Sequence, residues 1–370
     1  MDKRSGRENI YFRKDGRWEG RYALGRRNDG RLKYGYVYGK SYQEVQTKLR
    51  PLKQSAQNRF QLYGRSLMLY EEWIKKWKIV VQGTVKTSTF SDYCYKLNRY
   101  LLPNLGELPL YQITSERIQG VIDEQLTETL SPNSIHIIVR LLSKTLKMAQ
   151  AEGMLDKNPC EKVTLPKRLP QKIHALNVEQ QRSLVEAVSS YPDEKGQSAI
   201  LALNTGLRIG EIAALTWENI DFDKDIIHVD QTCHRVTLEE ERKTCLHYDT
   251  VKSYASQRMI PMNRAVKKLL KNLKLKSKSQ FVFSVGTKGC EPRVLTYHFH
   301  RVRQLANLEQ IHFHQLRHTF ATRCLEAKIG IASVSALLGH SSTKMTLDVY
   351  SDSMLEERIH AVFAIEQVTV

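Results

Sequence analysis

Apolar and polar positions change their period along the chain. Between residues 9 and 38, short runs rich in Tyr, Phe, Trp and Val are punctuated by Asp15-Gly16 and Asp29-Gly30. Asp-Gly between β-prone runs favours the left-handed turn that closes a hairpin. Three strands are therefore predicted near 9–13, 17–25 and 31–38. A helix follows Ser41, whose hydroxyl suits an N-cap, with Tyr42, Val45 and Leu49 on one face. From 66 to 163 the spacing turns helical. Leu67, Tyr70, Ile74 and Trp77 share one face, and Ile135, Ile138, Val139, Leu142 and Leu146 form a second stripe, opened by Pro132-Asn133 and ended by Gly153. Residues 164–173 break the pattern with two prolines and three cations, the composition of an exposed linker. Asn177-x-x-Gln180 is a capping box that opens a further helix. Residues 249–261 are predicted as strand, turn, strand. The expected fold class is multidomain, mainly α with small β-sheets: an N-terminal three-stranded sheet plus helix (1–60), a helical bundle (61–168) and a mixed α+β domain (169–370).

Charge adds a partner to this outline. The chain of 370 residues carries net charge +18. Residues 1–60 hold 16 basic and 6 acidic residues, more than half of that excess in a sixth of the length. The predicted sheet bears Arg13, Lys14, Arg17, Arg21, Arg26, Arg27, Arg31 and Lys33. A small sheet that dense in cations fits a DNA groove, with arginines on bases or phosphates. In the bundle, Lys86, Lys96, Arg99, Arg140, Lys144 and Lys147 are further candidates for phosphate. No run approaches the ~18 apolar residues of a membrane span. The basic N-terminus has no apolar stretch behind it, so neither a membrane partner nor a secretory signal is expected. Six scattered cysteines without a C-x-x-C pair point to reduced thiols in a cytoplasm. His298-Phe-His300 and His312-Phe-His314 lack the spacing of a zinc site, so no metal and no cofactor are expected.

Four clusters carry candidate chemistry. In Asn204-Thr-Gly-Leu-Arg-Ile-Gly-Glu, Gly206 permits a tight turn, and Arg208 and Glu211 lie three apart at a helix start. In His314-Gln-Leu-Arg317, two polar groups again point one way while Phe313, Leu316 and Phe320 pack. In Leu337-Leu-Gly-His340, the histidine stands just before a helix capped by Ser341 or Ser342, and Tyr350 follows about two turns later. In 249–261, Lys252 sits near the predicted turn.

In this order and at these intervals, the clusters resemble the catalytic domain of the tyrosine recombinases, the phage integrase family. The basic sheet and helical middle look like the arm-binding and core-binding domains of integrases from phages and conjugative transposons. The resemblance implies that Tyr350 is a nucleophile that cleaves one DNA strand, leaving a 3′-phosphotyrosyl link and a free 5′-hydroxyl, with neither metal nor ATP. It implies that Arg208 and Arg317 hold the phosphate oxygens, that Lys252 protonates the leaving oxygen, and that His314 assists proton transfer. It further implies that His340 bonds a phosphate oxygen and that Glu211 orients an arginine or a histidine. The stretch 234–248 is longer and more charged than a minimal strand connection, which leaves the register of Lys252 open. The implied partners are double-stranded DNA at core and arm sites and a homotetramer whose C-terminal helix, 354–365, docks on a neighbour. The resemblance also brings in an excision factor and a host DNA-bending protein as candidate partners. The expected setting is a bacterial cytoplasm, at the nucleoid when bound. A type IB topoisomerase and a non-catalytic DNA-binding regulator with the same fold are the alternatives.

Overall fold

The computed structural model describes residues 9–26, 31–63, 68–168, 174–238, 243–250, 256–340, 342–350 and 363. Two compact units result, Met1–Pro170 and Gln171–Val370.

The first unit opens with an antiparallel sheet of β1 (Ile10–Phe12), β2 (Trp18–Arg26) and β3 (Leu32–Gly39). Gly16, at φ +83°, forms the β1–β2 turn, and the Asp15 carboxylate accepts the backbone N–H of Arg17 at 3.2 Å. The Asp29-Gly30 turn lies outside the described residues. Helix α1 (Tyr42–Tyr63) is capped as expected: the Glu44 N–H donates to Ser41 Oγ at 3.2 Å, and the Lys40 N–H to Glu44 Oε2 at 2.8 Å. Val45 and Leu49 bury against Ile10, Trp18, Tyr22 and Val37. Gly20 makes that approach possible, because a Cβ there would stand 2.7 Å from Val45.

The rest of the unit is helical: α2 (Tyr70–Gln82), α3 (Thr87–Lys96), α4 (Leu102–Leu105), α5 (Ser115–Val121), α6 (Thr127–Thr129) and α7 (Pro132–Ala151). Its core unites Trp73, Ile74 and Trp77 of α2 with the expected α7 stripe. Thr145 joins the two helices, bonding the Tyr70 hydroxyl at 3.0 Å and accepting the Trp73 indole N–H on its carbonyl at 3.0 Å. Gly153, at φ +72°, follows the end of α7.

The second unit wraps helices around the antiparallel sheet β4 (Ile220–Asp221), β5 (Ile226–Val229) and β8 (Arg258–Pro261), in that order. Helix α8 (Val178–Ser190) starts at the expected capping box, with Asn177 and Gln180 bonding each other's backbone N–H at 2.8 and 3.0 Å. Then come α9 (Ser198–Thr205), α10 (Ile209–Ala214), α11 (Arg264–Lys276), α12 (Pro292–Leu305), α13 (Phe313–Glu326), α14 (Ile331–Leu338) and α15 (Thr343–Tyr350). A small ladder, β9 (Ser284–Val285) with β10 (Lys288–Gly289), completes the unit.

Both strands expected within 249–261 are present, the turn at 251–255 lies outside the described residues, and the two strands belong to different sheets. The first strand, β7 (Lys243–Thr250), pairs with β6 (Gln231–Leu238), whereas β8 pairs with β5. Within the charged stretch 234–248, residues 234–238 and 243–248 belong to a two-stranded ribbon of eight cross-strand pairs. Within the ribbon Cys233 and Val236 are buried, and Arg235 bonds Glu291. The ribbon abuts α10, where a Cβ on Gly210 would meet Thr232 Oγ1 at 2.7 Å. Among the described residues no helix is long and apolar enough to cross a membrane.

Candidate active site

The site is built where three helix ends meet. Helix α9 stops at Gly206, whose φ of +66° is a left-handed cap. A side chain there would also collide with Phe320, 2.6 Å from the position of its Cβ. The chain turns through buried Leu207, and Arg208 becomes the N-cap of α10 in extended conformation. Glu211, in the first turn, folds back on it. One carboxylate oxygen accepts the Arg208 N–H at 2.8 Å, and the other accepts Arg208 Nη1 at 2.8 Å. The sequence reading put the pair on one helix face; the structure puts Arg208 ahead of the helix, gripped through both backbone and side chain.

A second arginine, absent from the sequence-derived set, reaches the same carboxylate. Arg258, at the start of β8, donates Nη2 and Nη1 to the two Glu211 oxygens at 2.8 and 3.2 Å. Burial alone pushes the Glu211 carboxyl up, but the bonds and charge of Arg258 and the charge of Arg208 hold it below its ordinary value. Its one sequence signal is a lone cation in the β-prone run Arg-Met-Ile-Pro. A solvated strand end reads the same way.

Arg317 lies on α13, only 3% exposed. Its Nη1 donates to the Gly206 carbonyl at 2.7 Å and its Nη2 to the Leu338 carbonyl at 2.6 Å. One guanidinium thereby joins the α9–α10 turn to the end of α14. Gly339, at φ +65°, ends α14 and turns the chain into His340. His340 Nδ1 lies 2.9 Å from the hydroxyl of buried Thr346 on α15, which ties the histidine to the helix that carries Tyr350. Burial, then the charges of Arg317, Arg208 and Arg258, push the His340 imidazole down to about 4. His314, one turn ahead of Arg317, is lowered by burial and by the same two arginines, Arg317 and Arg208. His314 and His318 meet edge to face at 4.8 Å, and burial followed by the charge of His314 takes His318 to about 4. The arginines and imidazoles thus sense one another, and near neutrality the imidazoles are uncharged donors and acceptors beside permanent cations.

Tyr350 is the last residue of α15, and its side chain lies outside what the structure describes. Lys252 also lies outside the described residues, between β7 and β8, as do Arg27, the side chain of Arg26, and the 354–365 helix apart from Phe363. Among the described residues no group of three or more His, Cys, Asp or Glu side chains is placed to hold a metal ion.

The basic sheet is arranged differently from a plain cationic surface. Register places Tyr11, Glu19, Arg21, Tyr34, Tyr36 and Tyr38 on the face away from α1. Arg13 bonds Glu19 at 2.6 Å and Asp15 at 3.2 Å, Arg17 bonds Asp15 at 2.9 Å, and Arg21 approaches Glu19 at 3.5 Å. Arg21 also lies over Tyr11, and Arg13 and Arg17 over Tyr38. Lys14, Arg31 and Lys33 are exposed. The sequence reading missed the exposed tyrosine row, although Tyr34-x-Tyr36-x-Tyr38 displays it at strand period. In the bundle, Lys96, Arg140, Lys144 and Lys147 line one groove of about 490 Å³ with Tyr93 and Ile137.

Comparison with known proteins agrees with this geometry. The family model "Phage integrase family" matches residues 174–357, and "Phage integrase, N-terminal SAM-like domain" matches residues 69–126. A "Tyrosine recombinase XerC-like" protein of Caldanaerobacter subterraneus subsp. tengcongensis is 26% identical over 92% of this chain and 93% of its own length. The "ICEBs1 integrase" of Bacillus subtilis is 24% identical over 72% of this chain and 74% of its own. Among solved structures, the Tn1549 transposon integrase in complex with circular intermediate DNA superposes with a TM-score of 0.67 at 21% identity, covering 80% of this chain and all of that one. A lambda integrase tetramer bound to a Holliday junction gives 0.60 at 19% identity, with 94% and 96% covered. Neither a topoisomerase nor a non-catalytic regulator is favoured by these relatives. The matches, the helical bundle ahead of an α+β unit, and the Arg208–Glu211, His314-x-x-Arg317 and Gly339-His340 clusters around one site lead to one statement: the chain belongs to the phage integrase family of tyrosine site-specific recombinases.

Proposed function

We propose that the protein integrates and excises a mobile DNA element, cutting and rejoining strands through a 3′-phosphotyrosyl intermediate at Tyr350. The observation that carries this reading is the convergence of Arg208, Arg317, His314 and His340 from separate stretches of sequence, joined through Gly206, Leu338 and Glu211. Negative charge gathers on the non-bridging oxygens as tyrosine attacks phosphorus. Arg208 and Arg317 supply permanently charged planar forks for those oxygens, already held in place before DNA arrives. His340, kept neutral, donates a hydrogen bond to phosphate, and His314 assists proton transfer at the tyrosine. Lys252 protonates the leaving 5′-oxygen. Each strand transfer exchanges one phosphodiester for a phosphotyrosyl bond of similar energy, so no ATP is consumed.

The arginines and the lysine take the place of the cation that many phosphoryl-transfer enzymes recruit. Strand cleavage is accordingly expected to continue at an unchanged rate in excess chelator, measured as covalent adduct on a nicked suicide duplex. A requirement for added magnesium or zinc in that step contradicts the mechanism.

DNA binding divides between two parts of the chain. The sheet of residues 1–60 holds arm sites, its tyrosine row and cations meeting bases and phosphates, while the bundle and the catalytic part hold the core site. One protomer then bridges two DNA segments, with the high effective concentration of linked binding, and four protomers assemble on the crossover. Removing residues 1–60 is expected to erase arm-site protection in a footprint and to cripple integration of the whole element. Cleavage of an isolated core site persists. A footprint in which truncation leaves every protected region in place, or erases core protection first, refutes the division.

A further inference from the structure

Arg258 takes no part in the reaction as proposed, yet it is tethered on three sides. Besides its two bonds to Glu211, its Nε donates to the Leu337 carbonyl at 2.7 Å and its Nη1 to the Ser256 carbonyl at 3.1 Å. The Arg258 side chain is 5% exposed and that of Glu211 is 2%, whereas Arg208, on the other side of the carboxylate, is 36% exposed. One buried carboxylate is thus shared by two guanidiniums, one inside and one near the surface. Paired with Arg208 alone, Glu211 would cancel the charge of that arginine and draw it inward, because a buried carboxylate needs a counterion. With Arg258 present the trio keeps a net positive charge, and Arg208 is its exposed end. The bond to Leu337 adds a second link. It fixes the start of β8 to the residue preceding Leu338, whose carbonyl holds Arg317.

We propose that Arg258 is a positioning residue for strand cleavage: by neutralising Glu211 it leaves the charge of Arg208 to the scissile phosphate, and through Leu337 it sets both phosphate-binding arginines on one scaffold. This rests on Arg208 being a phosphate ligand, as proposed above.

The test compares two suicide duplexes carrying the protein's own recombination site. One has an ordinary scissile diester, and the other a methylphosphonate, in which a methyl group replaces one non-bridging oxygen and removes the charge the arginines must meet. Arg258→Met is expected to slow adduct formation about 100-fold on the diester, the size of effect seen when one preorganised donor is lost, and no more than about threefold on the methylphosphonate. Arg208→Ala should show the same split. If Arg258→Met fails to fold, Arg258→Lys takes its place. It keeps a cation beside Glu211 but cannot span both oxygens, so the same split is expected at smaller size. Equal losses on the two substrates, in a variant that melts and binds DNA like the wild type, overturn the proposal and leave Arg258 a purely structural group. No loss on either substrate overturns it too. A wild-type protein that forms no adduct with the diester removes the reading of the site itself, a result separate from any difference among the variants.

Discussion

Replacing Tyr350 by phenylalanine abolishes covalent attachment to DNA and leaves DNA affinity close to that of the wild type. The substitution deletes one oxygen and adds no bulk, and Phe and Tyr have similar helix propensities, so α15 (Thr343–Tyr350) keeps its helix. Affinity is carried by cations elsewhere in a chain of net charge +18. The loss falls on the bond-forming atom alone, and removing a nucleophile costs at least about 10⁴-fold. A denaturing gel of protein with nicked suicide DNA measures the adduct, and a binding titration at fixed salt measures affinity. Adduct formation by Tyr350→Phe at more than a trace removes the assignment.

Arg317→Ala is expected to lose both rate and stability. Single-turnover cleavage should fall by about 10²–10³-fold, the usual consequence of removing one preorganised donor to a developing oxyanion. The fold suffers as well, because the carbonyls of Gly206 and Leu338 lose their charged donors inside the protein. A buried acceptor left without its partner costs about 1–3 kcal/mol, so Tm should drop by several degrees. Arg317→Lys does not restore the site, since a single ammonium cannot place two N–H groups on carbonyls from two elements. Electrostatics supplies an independent readout. Arg317 is the leading charge that lowers His340, after burial, so its removal lets the His340 pKa rise from about 4 toward the ordinary imidazole value. An NMR titration of His340 follows that rise. An Arg317→Ala protein with cleavage within tenfold of wild type, or with an unmoved His340, contradicts the role.

What was legible in the sequence was whatever local chemistry decides. Ser41 and Asn177 announced their helices because an N-cap needs only the next three residues, and Gly206 announced a turn because the backbone there is left-handed. The stripes of α2 and α7 showed in the sequence because burial repeats at helical period. The pairing of β7 and β8 was not legible. Neighbouring strands suggest a hairpin, and only the packing of β6 against α10 shows that the chain crosses from one sheet to another. Arg258 escaped notice for a related reason. Its partners stand 47 and 79 positions away, at Glu211 and Leu337, and a single arginine in a strand carries no mark of its burial. Thr346 beneath His340 is likewise an unremarkable helix residue until α14 and α15 are brought together. The sheet's arginines show the opposite failure. Their density suggested free cations, and the β1–β2 turn, the strand period and strand pairing together give Arg13, Arg17 and Arg21 acidic neighbours and tyrosine rings.

The most direct test of the account is the chemical identity of the covalent link. Wild-type protein trapped on a nicked suicide duplex, digested with trypsin and nuclease, is expected to yield the peptide of residues 345–358 carrying a nucleotide on its single tyrosine, Tyr350. The bond should join that tyrosine to the 3′-phosphate, with a free 5′-hydroxyl on the released strand. A nucleotide on any other residue, or attachment through a 5′-phosphate, contradicts the assignment of this site.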